Sequence, residues 1–379
     1  MHSKLPHTGT TIFSVMSSLA NDFKAVNLSQ GFPDFPIDKK LNELLYKAVR
    51  EGNNQYAPMQ GILSLREKIS EQIRKVHNKV INPETEITIT SGATEALFAA
   101  ISVIVNPGDE VIIFDPSYDS YVPAVLLNQG VPVRIPLTFP GYKIDWDKVR
   151  SAVSPKTKLI IINSPNNPSG SVIDKTDLSN LKDILRKNDI YILSDEVYEH
   201  IIFDGNKHIS PLSDEELFKR SFIVSSFGKT FHITGWKVGY CTAPANLTSE
   251  LRKIHQFLTF STSTPFQYAI NSYLKNRSVI KDLKKFYQAK RDLFLELIAD
   301  TKFRPLNCSG TYFQLLDFSE ITDKNDFELA VHLTKEYKVA SIPVSVFYEK
   351  KTDNKVLRFC FAKEDKTLEK AAERLRKFK

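Results

Sequence analysis

Cysteine is scarce: the 379 residues hold three (Cys241, Cys308, Cys360), none in a Cys-x-x-Cys pair. That spacing argues against a disulfide framework and against a zinc or other metal site, and it fits a reducing compartment. No run approaches the roughly 18 unbroken apolar residues a membrane span needs. The opening MHSKLPHTGTTIFSVMSSLAND has no long apolar core flanked by a cleavage site. A cytoplasmic protein with no membrane partner is therefore expected. No block of five like charges occurs, although the net charge is +7. Basic residues alternate with acidic and apolar ones, as on solvated helix faces, so no nucleic-acid partner is expected and the charge implies only a modest preference for anionic ligands. Neither G-x-G-x-x-G nor a P-loop is present, which removes the usual grounds for a dinucleotide or ATP. Internal repeats and low-complexity segments are absent as well.

What is present is a 42% hydrophobic chain, long enough for a large core and more than one domain. Seven short β-branched runs occupy 86–91, 110–115, 131–136, 158–163, 190–195, 221–226 and 236–241. Several are continuously apolar, as strands buried on both faces must be. Between them, 93–105 and 177–188 carry helical spacing, and NPGDE closes the first of these helices. The alternation predicts an α/β fold with a mostly parallel sheet and helices on both sides. After about residue 270 the texture changes. A charged helical pattern over 278–300 is followed by strand patterns at 310–318, 338–345 and 355–363. A second, smaller α+β domain is expected there. The first ~35 residues show few periodic signals and read as an arm. The expected division is an arm over 1–37, a large domain over 38–275 and a small domain over 276–379.

Four strand ends carry chemistry. SGATEAL (91–97) is a glycine turn opening a helix, and its free N–H groups with the Thr94 hydroxyl would seat a phosphate. In isolation a simple N-cap and tight turn is the better account. NSPNNPSG (163–170) follows an apolar run, so Asn167 could donate an amide hydrogen bond to a ligand in the crevice. Plain loop chemistry is the alternative. SDEVYEH (194–200) draws Asp195 toward the interior, where a carboxylate needs a partner, and sets Tyr198 three residues on; a helix N-cap is the competing account. In SSFGKTFHITGWKVGY (225–240), Lys229 sits just past an apolar run among Ser225, Ser226 and Thr230. Together these supply a phosphate seat, an amide, a carboxylate with a phenol, and a lysine. Pyridoxal phosphate needs that set: donors for its phosphate and phenolic oxygen, a carboxylate for its ring nitrogen, an amine for its aldehyde. Arg358 lies in an apolar strand pattern and must meet a partner there, either a structural acid or a ligand carboxylate. His232 and His255 are left without a catalytic role.

With NLSQGFPDF (27–35), NQYAPMQG (54–61), FDPSYDSY (114–121) and LRFCFAKE (357–364) added in order, the chain resembles the fold-type I pyridoxal-phosphate aminotransferases of class I/II. It is most similar to their methionine and kynurenine (glutamine) aminotransferase branch. The resemblance implies a seven-stranded large domain, pyridoxal 5'-phosphate as cofactor, and a homodimer with shared sites. It assigns Lys229 to the cofactor aldehyde and to proton transfer, Asp195 to the ring nitrogen, Asn167 and Tyr198 to the phenolic oxygen, and Tyr118 to the ring face. Ala93, Thr94, Ser226 and Lys237 would hold the phosphate, joined by Tyr56 from the partner subunit. Lys237 stands where arginine is common in aspartate aminotransferases. Arg358 would clamp the substrate α-carboxylate, assisted by Asn167 and the Gly31 backbone.

Dicarboxylate-specific relatives carry an arginine near 255–268, a stretch that has no arginine or lysine here. The resemblance instead brings Phe13 and Phe260 to the pocket from the partner subunit. An apolar or aromatic amino donor follows, with ping-pong transfer of its amino group to a 2-oxo acid. A carbon–sulfur β-lyase on the same site is the alternative. A non-catalytic regulator domain is least expected, because the QGFPDF segment leaves no room ahead of it for a DNA-binding module.

Overall fold

A computed structural model describes residues 2–6, 8–276 and 278–378. Its strands are β1 (Val26–Asn27), β2 (Ile87–Thr90), β3 (Glu110–Asp115), β4 (Val131–Pro136), β5 (Thr157–Asn163), β6 (Tyr191–Asp195), β7 (Ser221–Ser226) and β8 (Gly239–Thr242). In the C-terminal part follow β9 (Arg304–Pro305), β10 (Phe313–Asp317), β11 (Val339–Ala340), β12 (Ile342–Pro343) and β13 (Val356–Cys360). β2 to β8 form one seven-stranded sheet in the order 2-8-7-6-5-3-4. Only β8 runs against its neighbours; the pairs 3-4, 3-5, 5-6 and 6-7 are parallel.

Strand burial explains the continuous apolar runs. Val111 and Ile113 of β3, with Leu159 and Ile161 of β5, pack into one core beside the helix Gly92–Ile104. Their neighbours Ile112, Phe114, Ile160 and Ile162 enter another core with Leu181, Ile184 and Leu185 of the helix Lys175–Lys187. Alternate side chains thus leave opposite faces, and both faces are covered, so neither can be polar. Each such side chain contributes roughly 1.5–3 kcal/mol over its exposed state. Connections lead from β3 outward to β4 and from β5 the other way to β6 and β7. The strand order therefore reverses between β3 and β5, and the crevice at the carboxyl ends opens there.

β9, β10, β12 and β13 form a four-stranded antiparallel sheet. Three details depart from the expectations. The first 35 residues contain a helix, Ile12–Asp22, capped by the Thr11 hydroxyl, which accepts from Ser14 N at 3.3 Å. The pattern at 338–345 is two two-residue strands in two different sheets: β11 pairs with β1, and β12 with β13. Short pairings of this kind leave no periodic signal. The helical pattern at 278–300 divides into Ser278–Lys281 and Leu283–Leu297. Among the described residues, no helix is long and apolar enough to cross a membrane.

Candidate active site

At the sheet's switch point lies a cavity of about 160 Å³. It draws its walls from four strand ends: Gly92, Ala93 and Thr94 after β2, Asn163 and Asn167 after β5, Asp195 and Tyr198 at and after β6, Ser226 and Lys229 at and after β7. Tyr118 and Lys237 complete it. Nine of the residues singled out from the sequence therefore line this crevice, and Arg358 is bonded to one wall through Asn167.

The phosphate-seat turn is shaped by two glycines. Gly92 takes φ +77°, and a Cβ there would stand 3.3 Å from the Lys237 ammonium. Gly239 of β8 faces the same turn, where a Cβ would meet Ala93 N and the Gly92 carbonyl carbon at 2.8 Å. The helix Gly92–Ile104 has no side-chain cap at Ser91. Its first N–H groups and positive dipole end thus adjoin a lysine, an anion-binding arrangement. Ser226 Oγ instead accepts from Gly228 N (3.1 Å), capping the short turn Phe227–Thr230 that carries Lys229.

Asn163, ending β5, bolts two loops together: its Oδ1 accepts from Asn167 N (2.7 Å) and its Nδ2 donates to Asp195 O (3.0 Å). Asn167 Oδ1 in turn accepts from Arg358 Nη1 (2.7 Å). Asp195 is buried, and its Oδ2 accepts from the Tyr121 hydroxyl at 2.6 Å. Burial raises its pKa to about 6 despite that bond. Tyr198 sits in a turn, not on a helix, so Asp195 is no N-cap. Burial raises the Tyr198 phenol too, which keeps it a proton donor.

Lys229 Nζ donates to Gly31 O (3.1 Å) and to the Tyr312 hydroxyl (3.0 Å). Desolvation lowers its pKa to about 8; the neighbouring Arg358 and Lys237 push the same way. Arg358 is fully buried in β13, and burial lowers even its pKa to about 10. It donates to Ser29 O (2.9 Å), while its Nε has no partner. Its guanidinium stacks 3.9 Å from the Phe313 ring and 5.1 Å from Phe13. Among the described residues, no carboxylate comes within ion-pair distance of it. The structural-acid account of Arg358 therefore has no acid.

Two aromatic expectations fare differently. Phe13 reaches Arg358 from its own chain, because the helix Ile12–Asp22 is tied down by Gln30, whose Nε2 donates to Phe13 O (3.0 Å). Entry from a partner is corrected for this residue. Tyr56 and Phe260 pack edge to face at 5.2 Å on the outside, Tyr56 82% exposed, and neither lines the cavity of its own chain. Tyr121, Asn163 and Tyr312 were not anticipated. Tyr121 falls within the FDPSYDSY motif, whereas Tyr312 sits in an apolar strand pattern that reads as core. His255 is buried between Glu95 (2.5 Å) and Met59 O (2.8 Å), supporting the phosphate turn from behind.

Known proteins match nearly the whole chain. The model of the family "Aminotransferase class I and II" matches residues 24–375. This chain belongs to the class I and II aminotransferases. Methionine aminotransferase of Escherichia coli K12 is 47% identical over 99% of the chain and 97% of the relative. A kynurenine–oxoglutarate transaminase of Dictyostelium discoideum is 35% identical over 98% and 94%. The solved structure of YbdL from Escherichia coli, with a methionine aminotransferase function, superposes with a TM-score of 0.97 at 46% identity, covering 100% of this chain and 99% of that one. The α/β fold, the family and the transaminase activity on amino acids and 2-oxo acids are thus as expected. As in the rest of this family, the cofactor is pyridoxal 5'-phosphate. The donor set fits that group: an uncapped helix end beside a lysine, a buried carboxylate, a phenol and amide, and a low-pKa amine face one cavity.

Proposed function

We propose that this aminotransferase takes methionine and other apolar or aromatic L-amino acids, kynurenine-like ones included, as donors to a 2-oxo acid. One observation carries the reading: a buried guanidinium without an acid, enclosed by Phe13, Phe313 and Phe347. A planar fork suits an α-carboxylate, and the aromatic rings offer an apolar side chain its contacts. The stretch 255–268 supplies no arginine or lysine for a second carboxylate, and its His255 is already bonded to Glu95. The identities to methionine and kynurenine transaminases support the same substrates.

When bound, the cofactor supplies the aldehyde that takes up the amino group and a ring that withdraws electrons from the substrate α-carbon. Asp195 offers the ring nitrogen a carboxylate to hold its proton. Asn167 and Tyr198 offer the phenolic oxygen their N–H and O–H, and Tyr118 the ring face a flat partner. Ala93, Thr94, Ser226 and Lys237 hold the phosphate. With the cofactor bound, Lys229 would take the substrate α-proton as a neutral amine; its lowered pKa makes that form accessible near pH 8. Arg358, Asn167 and the Gly31 backbone orient the α-carboxylate. Tyr56 and Phe260 act on a partner's site, which makes the protein a homodimer, and each chain divides into an arm over 1–37, a large domain over 38–275 and a small domain over 276–379. A cytoplasmic setting accords with three buried free cysteines.

A donor–acceptor screen on the purified protein, following the cofactor's visible absorbance, tests the substrate class. Preference for aspartate or glutamate as donor overturns it. Release of pyruvate and ammonia from a cysteine conjugate without any oxo acid supports β-elimination on the same residues.

A further inference from the structure

Lys229 has a partner outside the assigned set. Tyr312, wholly buried at the start of the strand pattern leading into β10, places its hydroxyl 3.0 Å from Lys229 Nζ and 2.5 Å from Gly31 O. A carbonyl oxygen only accepts, so at that distance the phenolic hydrogen lies between Tyr312 and Gly31. The lone pairs of the phenol oxygen are then left for N–H bonds of Lys229. Gly31 O takes a second contact from the same nitrogen at 3.1 Å. The three distances form a narrow triangle, so both acceptors stand on one side of Nζ. Lys229 lines the cavity, whereas neither Gly31 nor Tyr312 does. The amine is held from behind, with the cavity in front.

We propose that Tyr312 is a positioning residue for Lys229: with the Gly31 carbonyl it draws the amine's N–H bonds to the rear and turns its lone pair toward the cavity. This rests on the assignment of Lys229 to the cofactor aldehyde. A lone pair aimed at an electrophile reacts without first breaking a hydrogen bond, and the orientation is fixed before the partner arrives. The Tyr312 ring is itself fixed: Tyr198 and Phe313 pack on it edge to face at 5.1 and 4.9 Å, and Tyr287 lies tilted at 5.8 Å. Burial keeps its phenol protonated, so it stays a neutral acceptor toward the lysine. The charged and titratable groups facing Lys229 are Cys360, Arg358, Asp195 and Lys237, with the Tyr198 ring 5.8 Å from Nζ and its phenol kept protonated by burial. None of them changes when the phenol oxygen alone is removed.

Tyr312→Phe keeps the ring and deletes that oxygen. The full-length protein, stripped of cofactor, is mixed with pyridoxal phosphate across pH 6–10, and covalent capture is followed by visible absorbance. Lys229→Ala serves as the zero-capture control. In the wild type the rate rises with amine deprotonation near pH 8. In Tyr312→Phe the midpoint falls by about one unit, since the ammonium loses an acceptor, and the high-pH plateau falls about tenfold. An unchanged midpoint overturns the proposal, and so does a raised one, which is what a loosened fold that rehydrates the amine would give. Should Tyr312→Phe not fold, 3-fluorotyrosine placed at 312 weakens the acceptor without changing packing, and the midpoint must again fall. Borohydride reduction and peptide mapping of the wild type tests the underlying assignment separately: an unlabelled Lys229 refutes the Schiff-base role itself.

Discussion

Asp195 and Lys229 are both held away from their charged states, and the cofactor-free fold is weaker for it. Asp195 titrates near 6 rather than 3.8, so stability is lost as pH rises from about 3.8 through about 6. Lys229 titrates near 8 rather than 10.5, so the unfolded chain binds the extra proton between those values and stability is lost as pH falls through that window. Cofactor-free Lys229→Met is accordingly expected to be more stable than wild type at pH 7, by on the order of 1–3 kcal/mol, in urea melts. The gap closes between pH 8 and 10.5; a pH-independent difference contradicts the burial account. Arg358→Ala removes two charge-assisted hydrogen bonds from the substrate carboxylate. At about 1.5–3 kcal/mol each, KM for methionine is expected to rise about a hundredfold or more, while visible absorbance shows the cofactor retained. Unchanged substrate affinity refutes the clamp.

At the scale of elements, the turn proposed to seat the phosphate depends on two backbones approaching where no side chain intervenes. β8 runs antiparallel to β2, placing Gly239 opposite Thr90 and against the turn that opens Gly92–Ile104. Gly239→Ala forces Ala93 N and the Gly92 carbonyl carbon to move, a misfit costing about 1–3 kcal/mol. A cofactor dissociation constant raised about tenfold or more is expected from absorbance titration; wild-type affinity would show that the turn does not seat the phosphate. The arm shows how an element can be held by tertiary contacts. The helix Ile12–Asp22 is positioned by Gln30 and by the β1–β11 pairing, and these put Phe13 on Arg358. The pairing partners Val26 and Val339 lie 313 residues apart in the chain, so no local pattern announces the arrangement.

For the whole molecule, the exposed aromatic group of Tyr56, Phe257 and Phe260 is the feature a monomer leaves unexplained. If Tyr56 serves the neighbouring subunit, active sites are assembled from two chains. Refolding a mixture of Tyr56→Ala and Lys229→Ala proteins is then expected to regain activity in roughly a quarter of the sites, because mixed dimers carry one site with both residues intact. No gain over the separate variants refutes the shared site, and a fully active monomer in sedimentation does so independently.

The sequence by itself determined the sheet and the family. Strands buried on both faces must be apolar throughout, so 110–115, 158–163 and 221–226 stood out, and the motifs at 91–97, 163–170, 194–200 and 225–240 had to share one crevice because strands running the same way end on the same side. It also singled out Lys229, Asp195 and Asn167, which line one cavity. Only the tertiary structure decided what supports them. Tyr121 reaches Asp195 across 74 positions and Tyr312 reaches Lys229 across 83. Neither carries a local pattern, since a buried phenol and a core aromatic are indistinguishable until the chain brings a partner to its hydroxyl.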